Sequence, residues 1–421
     1  MMTFTVLLLV TLAVAFHNTH ALSVATPAAK KCSGTRLGKK STAINVLTQL
    51  NRADRLAPHV REGGTAVVTG GNSGIGAVTA KTLALTGMKV ILCARNPTSA
   101  QKVVDEIAPG CRDNVEIQQL DLSDMASIDA AAEAIKARGV PIDVLVNNAG
   151  ILSPLKRTVT AQDIELTFGV NHVGHHMLTR LLLPTLRPDG GRIVTVASEA
   201  HRSGTNTEFW KRDNYVSIRE YGDSKLANIL FAKRLQELCV QEGMSSVTSV
   251  CLHPGVIGTG LWRDTPILNT IQPLLDGVFF DKTIEQGAAT NVYCAMADEV
   301  EGGAYYSDCK VASETAVASN VELRMKLWDY TEQLIAEKGF VLPDKLFEVL
   351  PEVDVTEISE AVDMILESEI EAVTSGETAA LDSVVAVVEE EEEEEKKEKK
   401  EEQAVEEEQE EQEEEDDQGE D

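Results

Sequence analysis

The run Tyr221-Gly222-Asp223-Ser224-Lys225 places a phenol and an ammonium four residues apart, at the head of an apolar-periodic stretch that continues from Leu226 to Val240. On a helix that spacing puts both groups on one face, within reach of a shared site. A phenol at its ordinary pKa of about 10 is a poor base near neutrality, but a fixed cation beside it favours phenolate and draws that pKa toward working pH. Such a pair passes a proton to or from a substrate oxygen. Alone, a Tyr and a Lys at this spacing are two residues sharing a helix surface, and the rest of the chain must decide between the two readings.

Upstream, Thr65 to Thr69 (TAVVT) reads as a short buried strand that runs straight into Gly70-Gly71-Asn72-Ser73-Gly74-Ile75-Gly76. Glycines there permit a tight turn and close backbone approach to a pyrophosphate, while the following helix turns its N-terminus to the negative charge. A helical pattern from Ala77 to Thr86 and a second strand from Lys89 to Cys93 supply the context that a dinucleotide site requires. The second strand ends in Ala94-Arg95-Asn96, and no acid follows until Asp105. An NAD site usually presents a carboxylate there for the ribose 2′-OH, whereas a 2′-phosphate calls for a cation. Arg95 can pair with a phosphate through two parallel hydrogen bonds, so NADP(H) is the expected dinucleotide, with NAD(H) as the second choice.

Taken together, these segments resemble the short-chain dehydrogenase/reductase family. Its T-G-x-x-x-G-I-G motif stands as Thr69, Gly70, Gly74, Ile75 and Gly76, and its N-N-A-G motif as Asn147, Asn148, Ala149 and Gly150. Asp121 and Leu122 fall where the family contacts the adenine ring, and Asn171, Ser198, Tyr221 and Lys225 match its catalytic tetrad. Pro254, Gly255 and Thr259 match the loop that closes over the nicotinamide. Many NADP-dependent relatives also carry a basic residue just before the second motif glycine, where this chain has Ser73. The stretches Tyr221 to Leu235 and Ala197 to Arg202 look most like the retinol dehydrogenase and WW-domain oxidoreductase branch. The resemblance implies that Tyr221 transfers the proton, Lys225 lowers its pKa and binds the ribose, Ser198 bonds the substrate oxygen, and Asn171 holds a water linking Lys225 to solvent.

These residues must be positioned by a scaffold, and the alternation of patterns supplies one. Strands are expected at Thr65–Thr69, Lys89–Cys93, Val115–Gln119, Asp143–Val146, Arg192–Ala197 and Ser246–Leu252, with helical patterns between them and a last strand over Gly303–Ser307. Such alternation implies a parallel sheet covered by helices on both faces, here a single Rossmann-type, doubly wound α/β domain. The helix Val321 to Glu337 closes it, which bounds the domain at residues 63–340. In the loops Ser203 to Glu220 and Gly260 to Val278, the apolar content favours a small hydrophobic aldehyde, ketone or alcohol over a sugar.

Both ends differ from this unit. Residues 1–21 hold a short apolar core, Phe4 to Phe16, that suits a signal peptide. Residues 22–60 read as a transit peptide or linker, because no Asp or Glu occurs between Ala21 and Ala53 while lysines, arginines and hydroxyl residues do. A signal peptide followed by a transit peptide resembles the bipartite leader of proteins sent to the secondary plastids of algae; the endoplasmic reticulum is the alternative. Residues 341–388 form a partly helical extension without a catalytic signature. Residues 389–421 hold 22 acidic residues against four lysines, a block expected to be disordered. This tail either solubilises the chain or meets a basic protein partner.

The formal net charge of −30 has the wrong sign for a nucleic-acid partner. Seven scattered cysteines suggest reduced, buried thiols and no metal. His172, His175 and His176 follow Asn171, but on a helix they do not all converge on one point, so no metal site is expected. The chain leaves room for a homo-oligomer. Two other functions stand beside this reading, a non-catalytic dinucleotide-binding redox sensor or scaffold and a protochlorophyllide reductase-like enzyme. The complete tetrad favours the enzyme over the sensor, and Ser198 argues against the second alternative.

Overall fold

The computed structural model describes residues 37–152, 154–205, 207–212, 214–257 and 282–346. The expected signal peptide, the extension beyond 346, the acidic tail, Thr259 and the loop over 260–278 therefore lie outside the described residues. Strands β1 (Thr65–Thr69), β2 (Lys89–Ala94), β3 (Val115–Gln119), β4 (Val144–Asn147), β5 (Arg192–Val196), β6 (Thr248–Leu252), β7 (Tyr305–Ser307) and β8 (Lys310–Val311) form one sheet in the order β3-β2-β1-β4-β5-β6-β7-β8. Neighbours from β3 to β7 are parallel, and only β8 runs antiparallel to β7. Strand order reverses between β1 and β4, and at such a point an open α/β sheet leaves a crevice beyond the carboxyl ends of its strands.

Every residue of β1 is buried, as a strand covered on both faces requires. Its alternate side chains enter two cores, Val67 on one face, Ala66 and Val68 on the other. The second core is closed by α1 (Ala43–Arg52), α2 (Gly74–Ala84), α3 (Pro97–Asp105) and α7 (Ile284–Met296). The first is closed by α4 (Met125–Lys136), α5 (Gly174–Leu182), α6 (Ser217–Gln241) and α8 (Val321–Glu337). Helix α8 docks through Trp328, stacked on Phe231 of α6 at 5.7 Å between ring centroids. Glu332 of the same helix accepts from Arg180 Nε at 2.8 Å and meets His176 Nε2 at 2.6 Å on α5.

Several strand ends, that of β4 among them, shift by one or two residues, and α1 and β8 depart further from the sequence expectation. Helix α1 lies within residues 22–60, where the sequence leads one to expect a transit peptide or linker, yet it begins with a reciprocal capping box between Thr42 and Asn45 and buries Ala43, Val46 and Leu50. Composition made that stretch look like a leader; the i, i+3, i+7 spacing of its apolar residues makes it a packing surface, and the packed body starts ahead of Gly63. Asp143 stands just before β4, where its carboxylate accepts from Thr65 N at 2.7 Å and pairs with Arg187. Strand β8 was not anticipated, because two residues carry too little periodicity to be read.

Candidate active site

The glycine turn between β1 and α2 is shaped by close approach. Gly70 and Gly74 adopt left-handed φ values of 65° and 55°. A Cβ on Gly76 would lie 2.4 Å from both the Gly70 carbonyl oxygen and Asn148 Nδ2. Ser73 occupies the N-cap of α2 without a side-chain cap bond, so the first amides of the helix remain open to an anion. Asn72 Nδ2 donates to Ser99 Oγ at 3.0 Å, which fixes the outer edge of the turn. Ile75 packs against the core beside it. Arg95 is exposed just after β2, and among the described residues no carboxylate pairs with it. At the end of β3, Asp121 accepts from Ser123 N at 2.9 Å and from Ser123 Oγ at 2.6 Å, while Leu122 is buried. This cradle, with open helix amides and glycines where a Cβ would collide, fits a dinucleotide pyrophosphate.

The N-N-A-G segment locks onto that turn. The Thr69 hydroxyl accepts from Asn148 N at 2.9 Å and from Ala149 N at 3.0 Å, and Asn148 Nδ2 donates to the Thr69 carbonyl at 2.8 Å. A Cβ on Gly150 would meet Asn171 Oδ1 and Lys225 Nζ, each at 3.3 Å, so both groups converge there.

Asn171 sits in a π turn, Gly169–Val173, that leads into α5. Its side chain accepts from Ile151 N at 2.8 Å and donates to Ile151 O and Ser224 Oγ, each at 3.0 Å. The side chain thus anchors the strand-end loop to α6. Ser198 follows β5 and takes the Ala200 amide at 3.2 Å, and its side chain lies near enough to the Tyr221 phenol to favour the phenolate. Lys225 is buried, donates to the Val196 carbonyl at 3.1 Å, and lies 5.8 Å from the centroid of the Tyr221 ring. One of its three N–H donors is used by that carbonyl, and a buried ammonium with donors to spare suits ribose hydroxyls.

The electrostatics correct one expectation. The sequence suggested that Lys225 would draw the Tyr221 phenol down toward neutrality; instead burial pushes it up to about 12, and the Ser198 side chain offsets only part of this. Burial also pushes Lys225 down, to about 8. The ammonium faces the ring and the Val196 carbonyl, so its charge does not outweigh the cost of an anion in this cleft. The phenol consequently holds its proton at neutral pH.

Sequence reading missed the role of His175. Its Nδ1 faces the Asn171 carbonyl at 3.1 Å and its Nε2 the Thr69 hydroxyl at 2.9 Å. A carbonyl only accepts, so the proton is on Nδ1 and Thr69 donates to Nε2. Burial keeps this imidazole neutral, with its pKa pushed down to about 4. The glycine turn, the N-N-A-G segment and Asn171 are thereby one hydrogen-bonded unit. Its signal was His175 standing one helical turn after Asn171. The other two histidines turn elsewhere, His172 to Thr331 at 3.1 Å and His176 to Glu332.

Comparison with known proteins identifies the family. A sequence model of the short chain dehydrogenase family matches residues 64–266. The chloroplastic short-chain dehydrogenase TIC 32 B of Brassica napus is 34% identical over 316 residues, covering 71% of this chain and 94% of that protein. Human retinol dehydrogenase 11 is 39% identical over 281 residues, covering 65% and 86%. Human WW domain-containing oxidoreductase is 38% identical over 295 residues, covering 66% and 69%. Among solved structures, an uncharacterized protein from Mycobacterium paratuberculosis is 30% identical with a TM-score of 0.54, covering 69% of this chain and 98% of that one.

Proposed function

The chain belongs to the short-chain dehydrogenase/reductase family, in its retinol-dehydrogenase-like branch, and from that premise we propose that it is an NADP(H)-dependent reductase of hydrophobic aldehydes or ketones. The observation that carries this reading is the meeting of a neutral Tyr221 phenol, the Ser198 side chain and the buried Lys225 ammonium beyond β5, across the switch point from the glycine turn. When bound, the nicotinamide supplies or accepts the hydride at the carbonyl carbon. Tyr221 holds the proton that passes to the carbonyl oxygen during reduction, and Ser198 orients that oxygen without competing for the proton. Lys225 binds the ribose through its free donors, and its charge stabilises the phenolate left behind. Asn171 keeps the loop after Gly150 in place beneath them.

Exposed apolar residues at the start of α6, the helix that carries Tyr221, support a hydrophobic substrate. Tyr215 donates to the Pro154 carbonyl, which ties the loop carrying Leu155 (73% exposed) to the start of α6, where Val216 and Ile218 are exposed. The test is NADPH oxidation with a series of linear aldehydes and ketones and a set of sugars. Each added methylene buried in the cleft should raise kcat/KM by about fourfold, from about 0.8 kcal/mol per CH₂. Equal rates with sugars would overturn the substrate class, and NADPH binding without consumption would establish the sensor in place of the enzyme.

We also place the protein in an algal plastid. The short apolar core of residues 1–21 and the basic, acid-free residues between it and α1 support this, as does similarity to the chloroplastic Brassica napus relative. A tagged chain should co-fractionate with plastids; a reticular distribution would assign it to the endoplasmic reticulum.

A further inference from the structure

Pro254 and Gly255 stand beyond the carboxyl end of β6, and three parts of the chain hold them. His253 Nδ1 accepts the Gly255 amide at 3.1 Å, which leaves the ring proton on Nε2, 2.8 Å from Ser307 Oγ and 3.4 Å from Glu199 Oε2. From the other side, Lys282 Nζ donates to the Pro254 carbonyl at 3.2 Å and to Asp308 Oδ1 at 2.5 Å. Gly255 has a φ of 101°, and a Cβ there would lie 2.6 Å from Lys282 Cδ, so turn and lysine are packed to contact. Asp308 is itself fixed, because it and Cys309 take left-handed φ values of 54° and 60° in the β7–β8 turn and Cys309 N donates to Thr290 Oγ1 of α7 at 3.3 Å. Burial keeps His253 neutral, at about 4, and the charged or titratable groups around it are Glu199, Lys282, Asp308 and His201.

We propose that His253, as the imidazole protonated on Nε2, and Lys282 are positioning residues for the Pro254–Gly255 turn, and that their hold governs binding of the nicotinamide half of the dinucleotide. The inference rests on the dinucleotide reading above. The choice of half follows from the sheet order: the glycine turn and Arg95 belong to β1 and β2, whereas β6 lies beside β5, whose end carries Ser198. A dinucleotide lying across the switch point puts one half on each side, and the turn after β6 is on the side of the reacting groups.

His253→Phe retains an aromatic ring but removes the acceptor for Gly255 N. His253→Asn restores one, since an Asn side-chain oxygen accepts the amide two residues on. Dissociation constants of the full chain would be measured for NADPH and for adenosine 2′,5′-bisphosphate, which carries only the adenosine half. His253→Phe should weaken NADPH about tenfold, the scale of one lost buried hydrogen bond, and leave the bisphosphate unchanged. His253→Asn should stay within about threefold of the parent, and Lys282→Met should behave as His253→Phe. Unchanged NADPH affinity in His253→Phe, or parallel losses for both ligands, would overturn the proposal while the dinucleotide site stands. A parent chain that binds neither ligand and no NADH would remove the dinucleotide site and this inference with it.

Discussion

Tyr221→Phe should abolish most carbonyl reduction, by about 10²- to 10⁴-fold in kcat, while NADPH binds nearly as in the parent. The substitution removes a single oxygen from a ring whose packing against the Lys225 ammonium is otherwise kept. Loss of the proton donor acts on the chemical step, whereas the cradle of Gly70 to Gly76 and the Lys225 donors remain in place. Near-normal turnover in this variant would discard Tyr221 as the acid. The parent enzyme adds a check through pH. Reduction needs the protonated phenol, available up to about pH 12, and the Lys225 charge, which is present below about 8 and lost above it. The kcat/KM for reduction should therefore be level through neutrality and decline above pH 8, while alcohol oxidation, which starts from phenolate, should climb with pH. Reduction that stays level to pH 10 would overturn either the lowered Lys225 pKa or the part of its charge in the reaction.

Arg95→Asp should weaken NADPH far more than NADH, by about 1.5 to 3 kcal/mol of added loss, as for a hydrogen bond to a charged group. Arg95 is exposed at the end of β2 with no carboxylate paired to it among the described residues, so its guanidinium is available to a 2′-phosphate. The introduced carboxylate would repel that phosphate yet could accept from the unmodified ribose of NADH. Equal losses for the two dinucleotides in a binding titration would mean that Arg95 does not read the phosphate.

The two variants probe parts of the site that were legible to different degrees. Strand β1 and helix α8 could be bounded to the residue, because a continuous apolar run and a 3.6-residue period are local properties of the chain. The glycine turn was legible for a related reason: its left-handed residues and close approaches leave little choice but glycine. The order of the motifs then placed Asn171, Ser198, Tyr221 and Lys225 at strand and helix ends of one sheet. By contrast, α1 was hidden by its composition, and β8 by its length.

By itself, then, the sequence determined the alternating elements and the parallel sheet they build, which follow from short-range periodicity and backbone need, while the groups at its carboxyl edge were named by resemblance to a family. Only the tertiary structure decided how those groups behave. Burial, which depends on packing from both sides of the cleft, outweighs the neighbouring charge and leaves Tyr221 a neutral acid. The tie from Thr69 through His175 to Asn171 spans more than a hundred positions, and Lys282 reaches Pro254 across 28. Such bonds form between residues whose separation along the chain carries no periodic signal, so they exist only once the sheet has brought its strand ends together.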